Sequence, residues 1–488
     1  MMSDKNQRRL RSGISGLDEI TMGGFLPGCS YLVRGGPGSG KTTLCAHFAL
    51  AGQEAQEPVL WIALSEAPHQ VKANALAQGL DLDHVTFLDL TPGPEVFRDK
   101  KGYEVFPPEE VETGPLAERI VHAMETVRPT RVIVDSVSQL QFLISNVHQF
   151  YQQVLSLLRF LSSGGATVLL TSEASPRAPD EEVQFLVDGV IELNVDGMDW
   201  RLQVKKWRGS AFRAGFHSFA LTGCGVRVFP RLEPQLVARD TALDVLSSGI
   251  PALDELLMGG INRGTVTLIA GPSGTGKTTL GLQFMKEAAS RGERSVVFHF
   301  EENQRTLINR GERVNIPIAR MIAQKTLRLE RIEPLALSAD QFAQLVREEV
   351  EERGTTMVML DSVAGYRLSV RGGDVASSLH ALTQYLTNSG VTTLICAEVE
   401  KITGDFQITE VGISYLADNV IFLRYFESQG QLRKAIGVLK KRLSDFEKSV
   451  RELEITPYGL KVGAPLKDFR GLLTGTPELA PNTPPPNS

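Results

Sequence analysis

The chain has 488 residues, 42% hydrophobic and 22% charged, the composition of a globular protein of two or three domains. Its 51 Lys and Arg against 57 Asp and Glu leave a net charge of −6, which argues against a broad, non-specific grip on nucleic acid. The scattered Cys29, Cys45, Cys224 and Cys396 have neither zinc spacing nor a disulfide framework, and no apolar run reaches membrane-spanning length, so a cytoplasmic protein with no membrane partner is expected.

In chain order, the first feature is SGISGLDEITMGGFLPGCSYLVRGGPGSGKTT, starting at Ser12. It returns as SGIPALDELLMGGINRGTVTLIAGPSGTGKTT at Ser248, with Asp18 and Asp254, Gly28 and Gly264, and Lys41 and Lys277 all 236 positions apart. A constant, ungapped offset marks a duplicated domain. The seam falls at RLEPQLVARDTALD (231–244), which divides the chain into residues 1–235 and 236–472. The Pro-rich segment 473–488 is expected to be a disordered tail.

Within the first copy, SYLVRG, VLWIALS, RVIVDS and ATVLLTS predict strands; the second repeats them as TVTLIAG, SVVFHFE, TMVMLDS and VTTLICAE. Short, continuously apolar, β-branched runs suit parallel strands buried on both faces. The spacing predicts helices over 149–163 and 341–354. Alternating strands and helices make each copy an α/β, doubly wound, mostly parallel sheet.

Both copies contain G-x-x-x-x-G-K-[ST] between a strand and a helix, the context in which that motif cradles phosphates. Gly36, Gly38, Ser39, Gly40, Lys41, Thr42 and Thr43 are the candidate nucleotide-binding residues of the first copy. Gly271, Ser273, Gly274, Thr275, Gly276, Lys277, Thr278 and Thr279 are those of the second. Backbone N–H groups and the helix N-terminus bind phosphate oxygens, the lysine reaches the β- and γ-phosphates, and Thr42 and Thr278 reach Mg²⁺. Asp135 and Asp361, closing apolar strands downstream, fit the Walker B position beside the metal. ATP and Mg²⁺ are therefore the expected cofactors.

A carboxylate is also needed to orient or deprotonate the attacking group. Glu301 and Glu302 supply a pair in the second copy, whereas the first has Ser65 and Glu66. Near its end each copy then has a basic, strand-like segment containing K-x-R, with Lys206 and Arg208 in one and Lys440 and Arg442 in the other. In a ring these could reach a neighbour's γ-phosphate, whereas in isolation they could be the charges that keep an edge strand soluble.

The set of motifs, tandem SGIxxLDExxxGG–Walker A domains with a Glu-Glu pair and K-x-R strands, resembles the KaiC family from about Ser12 to Gly471. The resemblance implies two tandem RecA-like P-loop NTPase domains forming a homohexamer of two stacked rings, with ATP and Mg²⁺ between subunits. It further implies an ATPase first ring and a second ring that autophosphorylates Ser and Thr across the subunit boundary. The family's acceptor segment, ITDxHISTITD, corresponds to ITEVGISYLAD (408–418). Ser414 matches the phosphoserine, Tyr415 replaces the threonine, and Thr409 matches an upstream hydroxyl. Leu443 follows the second K-x-R where the family often has Gly. A KaiB-like or other signalling partner would fit the family, although the short tail has no match to the longer peptide that regulates its clock proteins. Two other readings stay open: a RecA- or RadA-like DNA-stimulated ATPase of recombination or repair, and a nucleotide-sensing scaffold with little turnover.

Overall fold

The computed structural model describes residues 9–91, 113–143, 147–174, 180–233, 244–371, 375–399, 415–467, 469–472 and 478–479. Thr409, Ser414 and most of the Pro-rich tail lie outside the described residues; within that tail, Glu478–Leu479 pairs with Phe469–Arg470. The chain divides into two compact units, Met1–Arg231 and Leu232–Ser488. Among the described residues no helix is long and apolar enough to cross a membrane.

The first unit is built on nine strands: β1 (Ser30–Gly35), β2 (Val59–Ala63), β3 (Thr86–Asp89), β4 (Arg131–Asp135), β5 (Thr167–Glu173), β6 (Gly189–Asp196), β7 (Asp199–Trp207), β8 (Phe216–Thr222) and β9 (Gly225–Phe229). Their order is β3-β2-β4-β5-β1-β6-β7-β8-β9. The first six are parallel and the last three pairings antiparallel. The second unit has β10 (Val266–Gly271), β11 (Ser295–His299), β12 (Leu327–Arg331), β13 (Met357–Asp361), β14 (Thr392–Glu398), β15 (Asn419–Ser428), β16 (Gln431–Lys441), β17 (Arg451–Thr456) and β18 (Gly459–Pro465). Its order, β12-β11-β13-β14-β10-β15-β16-β17-β18, repeats that of the first. All eight strands read from apolar runs are present, within one or two residues at their ends; the two expected helices are Val147–Ser163 and Ala339–Glu351, each starting two residues earlier than expected and the second ending three residues earlier.

Continuous hydrophobicity follows from burial on two faces. Along β1, β2 and β4, Tyr31, Val33, Trp61 and Ile133 enter one core, while Leu32, Leu60, Ile62, Val132 and Val134 enter the other. The second sheet divides in the same way, with Ile269, Val297 and Met359 on one side and Leu268, Phe298 and Leu360 on the other.

The repeated SGI–LDE phrase is a structural clasp. Ser12 N–H donates to Asp18 Oδ1 at 2.8 Å and Gly23 N–H to Asp18 O at 2.7 Å. In the second unit Ser248 N–H and Gly259 N–H make the equivalent bonds to Asp254, both at 2.7 Å. Cys45 and Cys396 are buried, Cys29 is half-buried and Cys224 is exposed, and all four are free thiols.

Among the described residues of the first unit, Arg131 is the most deeply buried charged side chain, 1% exposed. Its guanidinium pairs with Glu57 at 2.7 Å, donates to Arg11 O and Phe48 O, and lies 4.5 Å from the Phe48 ring centre. Removing one partner of such a pair strands a desolvated charge, so Glu57→Ala is expected to destabilise this unit by about 3–5 kcal/mol. The three tryptophans, Trp61, Trp200 and Trp207, all belong to the first unit. Urea unfolding followed by tryptophan fluorescence therefore reports on this unit alone, and its midpoint should fall in the variant.

Candidate functional site

In both units the phosphate-binding motif leaves the C-terminal end of the central parallel strand. Gly40 and Gly276, immediately before the lysines, have φ of +90° and +108°, a region that side-chain-bearing residues rarely enter. They turn the chain into helices Lys41–Glu54 and Lys277–Ser290. Lys41 Nζ donates to Gly35 O and Gly36 O at 2.9 Å each; Lys277 Nζ donates to Gly271 O at 2.8 Å and Pro272 O at 2.9 Å. Burial pushes both ammonium groups below the ordinary lysine range, against the pull of nearby acids that include Asp135 in one unit and Asp361 in the other. Ser39 Oγ is buried without a hydrogen-bond partner, whereas its counterpart Thr275 donates to Pro272 O at 2.8 Å.

Asp135 ends β4 and Asp361 ends β13, each beside the strand that carries the candidate carboxylates. Asp135 is 4% exposed, and burial raises its carboxyl, while hydrogen bonds with Thr171 and Thr42 pull it down. Thr171 Oγ1 donates to Asp135 Oδ1 at 2.5 Å. In the second sheet the register partner of Asp361 is Cys396, a fully buried thiol pushed up by burial and by Asp361. The peptide bond after each aspartate is cis. The glycine loop, a hydroxyl at Thr42 and a buried acid form a donor set that fits a triphosphate and a hard divalent cation. Thr42, Asp135, Thr278 and Asp361 are the residues that would hold that cation.

The carboxylates divide into two kinds. Glu66 Oε1 accepts from Asn74 Nδ2 at 2.7 Å, and Glu302 Oε2 pairs with Arg310 Nη2 at 2.9 Å. Asn74 and Arg310 both stand eight residues beyond their acids, in equivalent helices, Pro68–Leu76 and Gln304–Glu312. The acid at the second position of each turn, Glu66 or Glu302, is thus tied to its own unit. Burial raises the Glu302 carboxyl, Arg310 opposes that shift and Asp361 reinforces it. The position before it is exposed in both units, and it is Ser65 in the first and Glu301 in the second. Ser65 Oγ donates to Asp135 O at 3.4 Å.

The K-x-R residues stand apart from the loops of their own units. Lys206 pairs with Val190, and Arg208 N–H donates to Asp188 O, whose own N–H donates to Ser30 O at the start of β1. Lys440, Arg442, Asp418 and Val266 repeat this arrangement. The phosphate loop lies at the opposite end of the six-residue strand, about 17 Å away at ~3.3 Å per residue. The lysines are bound internally: Lys206 Nζ donates to the carbonyls of Gln184, Phe185 and Val187, and Lys440 Nζ to Ala417 O at 2.7 Å. The arginines project further, with side chains 59% and 49% exposed, beside Asp188 and Asp418. Arg442 Nη2 also donates to Tyr415 O at 2.9 Å, and the half-exposed Tyr415 ring packs edge-on against His380.

Sequence reasoning did not find Asn74, Arg310 or His299. His299, where the first unit has Ala63, is 1% exposed, and its Nδ1 lies 2.9 Å from Glu302 O. Burial lowers its pKa, favouring the neutral ring. The available signal was a polar residue inside the otherwise apolar run SVVFHF.

A profile of the KaiC ATPase family matches the chain twice, over residues 10–233 and 246–467. The circadian clock oscillator protein KaiC of Synechococcus elongatus is 29% identical over 486 residues, covering 96% of this chain and 92% of that protein. The proteins of the same name from Acaryochloris marina and Rippkaea orientalis are 27% and 28% identical, covering 97% and 96% of this chain and 93% and 91% of their own.

Nucleotide binding is the direct check on the loops. Lys277→Ala removes a charged donor to phosphate and should weaken one of two sites per chain by about tenfold or more, leaving the other intact. Titration with a fluorescent ATP analogue separates this outcome from two unchanged sites.

Proposed function

The chain belongs to the KaiC ATPase family, and from that premise we propose an ATP-driven autokinase that works as a homohexamer of two stacked rings, in circadian-type or stress signalling. The observation that supports it is the separation, within each unit, of the phosphate loop from the K-x-R arginine. One chain supplies the phosphate cradle and its neighbour the arginine, a head-to-tail contact that closes into a ring. The domains are residues 1–235 and 236–472, with 473–488 as a tail.

ATP supplies the phosphoryl group, and Mg²⁺ neutralises the charge of the phosphates. In the second unit Lys277 exchanges its loop carbonyls for phosphate oxygens, while Thr278 and Asp361 would hold the cation. Glu301, at the exposed apex of its turn, takes the proton from the Ser414 hydroxyl. Ser414 Oγ bonds to the γ-phosphorus, and ADP leaves. The neighbour's Arg442 stabilises the transition-state charge. Lys206 and Lys440 act by holding the strand ends from which Arg208 and Arg442 project.

The first unit presents Ser65 where a base would stand, and Glu66 is held by Asn74. It binds ATP chiefly as an assembly clamp, because a nucleotide touching two subunits stabilises the ring by mass action. A KaiB-like or other signalling partner is part of the same reading.

Two measurements test the division of labour. Glu301→Gln should slow phosphate incorporation from Mg-ATP by about a hundredfold or more, the scale of a lost general base, whereas Glu66→Gln should change it less than about twofold. Ser414→Ala should abolish most phosphate incorporation, read by mass spectrometry after incubation with Mg-ATP. Undiminished labelling would show that Ser414 is not the acceptor.

A further inference from the structure

We infer that His299 is a positioning residue for the second site, fixing the turn on which Glu301 stands. The inference rests on the proposed role of Glu301. A carbonyl oxygen can only accept, so the nitrogen 2.9 Å from Glu302 O must be the protonated Nδ1, which donates across the turn. The bond closes Phe300 and Glu301 into a loop of fixed shape. On its other side the turn is held by Phe300, which is 3% exposed and packs against Phe342 and Tyr366, with ring centres 6.0 Å apart in each case. Phe300 N–H donates to Asp361 O at 3.3 Å, and Arg310 holds the Glu302 side chain. Within the turn that this bond closes, residues 299–302, Glu301 is the exposed residue.

The imidazole is an addition specific to this unit. In the first unit Ala63 has no donor to close the turn, and its apex carries Ser65, which has no carboxylate to orient. His299 sits on β11 between Asp361 and Arg331 as register neighbours, and its Nε2 is buried without a hydrogen-bond partner. One ring nitrogen therefore carries the structural bond, and a substitution need reproduce only that one. Asparagine places an amide donor near the position of Nδ1; glutamine places its amide near Nε2.

The test compares His299→Asn, His299→Gln and His299→Ala with Glu301→Gln in the full chain, measuring the rate of phosphate incorporation over a range of Mg-ATP concentrations and thermal unfolding. Displacing a catalytic group by about 1 Å costs up to a hundredfold, so alanine and glutamine should each lower kcat about tenfold or more with KM for ATP changed less than about twofold. Asparagine should retain activity within about twofold of the native chain. If alanine fails to fold, the asparagine–glutamine pair decides. Equal activity of asparagine and glutamine, or losses that follow the unfolding temperature, overturns the inference. Loss of activity in Glu301→Gln with native activity in every His299 variant overturns the role of His299 and leaves that of Glu301. Native activity in Glu301→Gln overturns both.

Discussion

Each site depends on bringing a lysine ammonium out of water at the end of a parallel strand. Lys41 and Lys277 would be costly to bury without oxygens around them; the glycine loop supplies carbonyls that accept from them, and nearby acids, Glu173 and Asp135 in one unit and Glu398 and Asp361 in the other, favour the charged form. That requirement fixes much else. The central strand must end where its neighbours end, so that the acid of β4 or β13 meets the loop of β1 or β10. The glycines before the lysines must take positive φ. The helix that follows must present its N-terminus to the same space, where any anion finds converging N–H groups.

The duplication preserves this cradle and varies what looks into it. Thr171 in one sheet becomes Cys396 in the other, Ala63 becomes His299, and Asn74 becomes Arg310. None of these changes disturbs strand order, because each replaces one side chain at an unchanged backbone position. The cradle admits few alternatives, whereas the positions around it can be exchanged singly. Membership of the KaiC ATPase family accounts for the shared cradle; the substitutions around it distinguish the two sites.

Four of the six parallel strands in each sheet were legible because burial on two faces leaves an unbroken apolar run, whereas the parallel strands β3, β6, β12 and β15 were not read. The antiparallel half was harder to read: β8 and β17 alternate buried and more exposed positions, and FHSFALT and RELEIT mix polar and apolar residues. The glycine loops, and the acids Asp135 and Asp361 that close apolar strands, could be placed from the sequence. The states of the acids could not, since a Glu-Glu pair gives no indication that Glu302 is tied to Arg310. Glu66 likewise looked available in the sequence and is held by Asn74. These ties join a turn to the helix after it, and their geometry is set by how that helix docks. The K-x-R motif was visible, but its separation from the loop of its own unit depends on strand order, which a local pattern does not encode.

That separation bears on inheritance as well as on chemistry. If a working centre takes its cradle from one chain and its arginine from the next, a defect in either half belongs to an interface and not to a polypeptide. Chains lacking Lys277 and chains lacking Arg442, each inert alone, would restore some competent interfaces when mixed in one ring. Such intragenic complementation would be confined to mixed assemblies, and its yield would follow the statistics of neighbours around a closed circle.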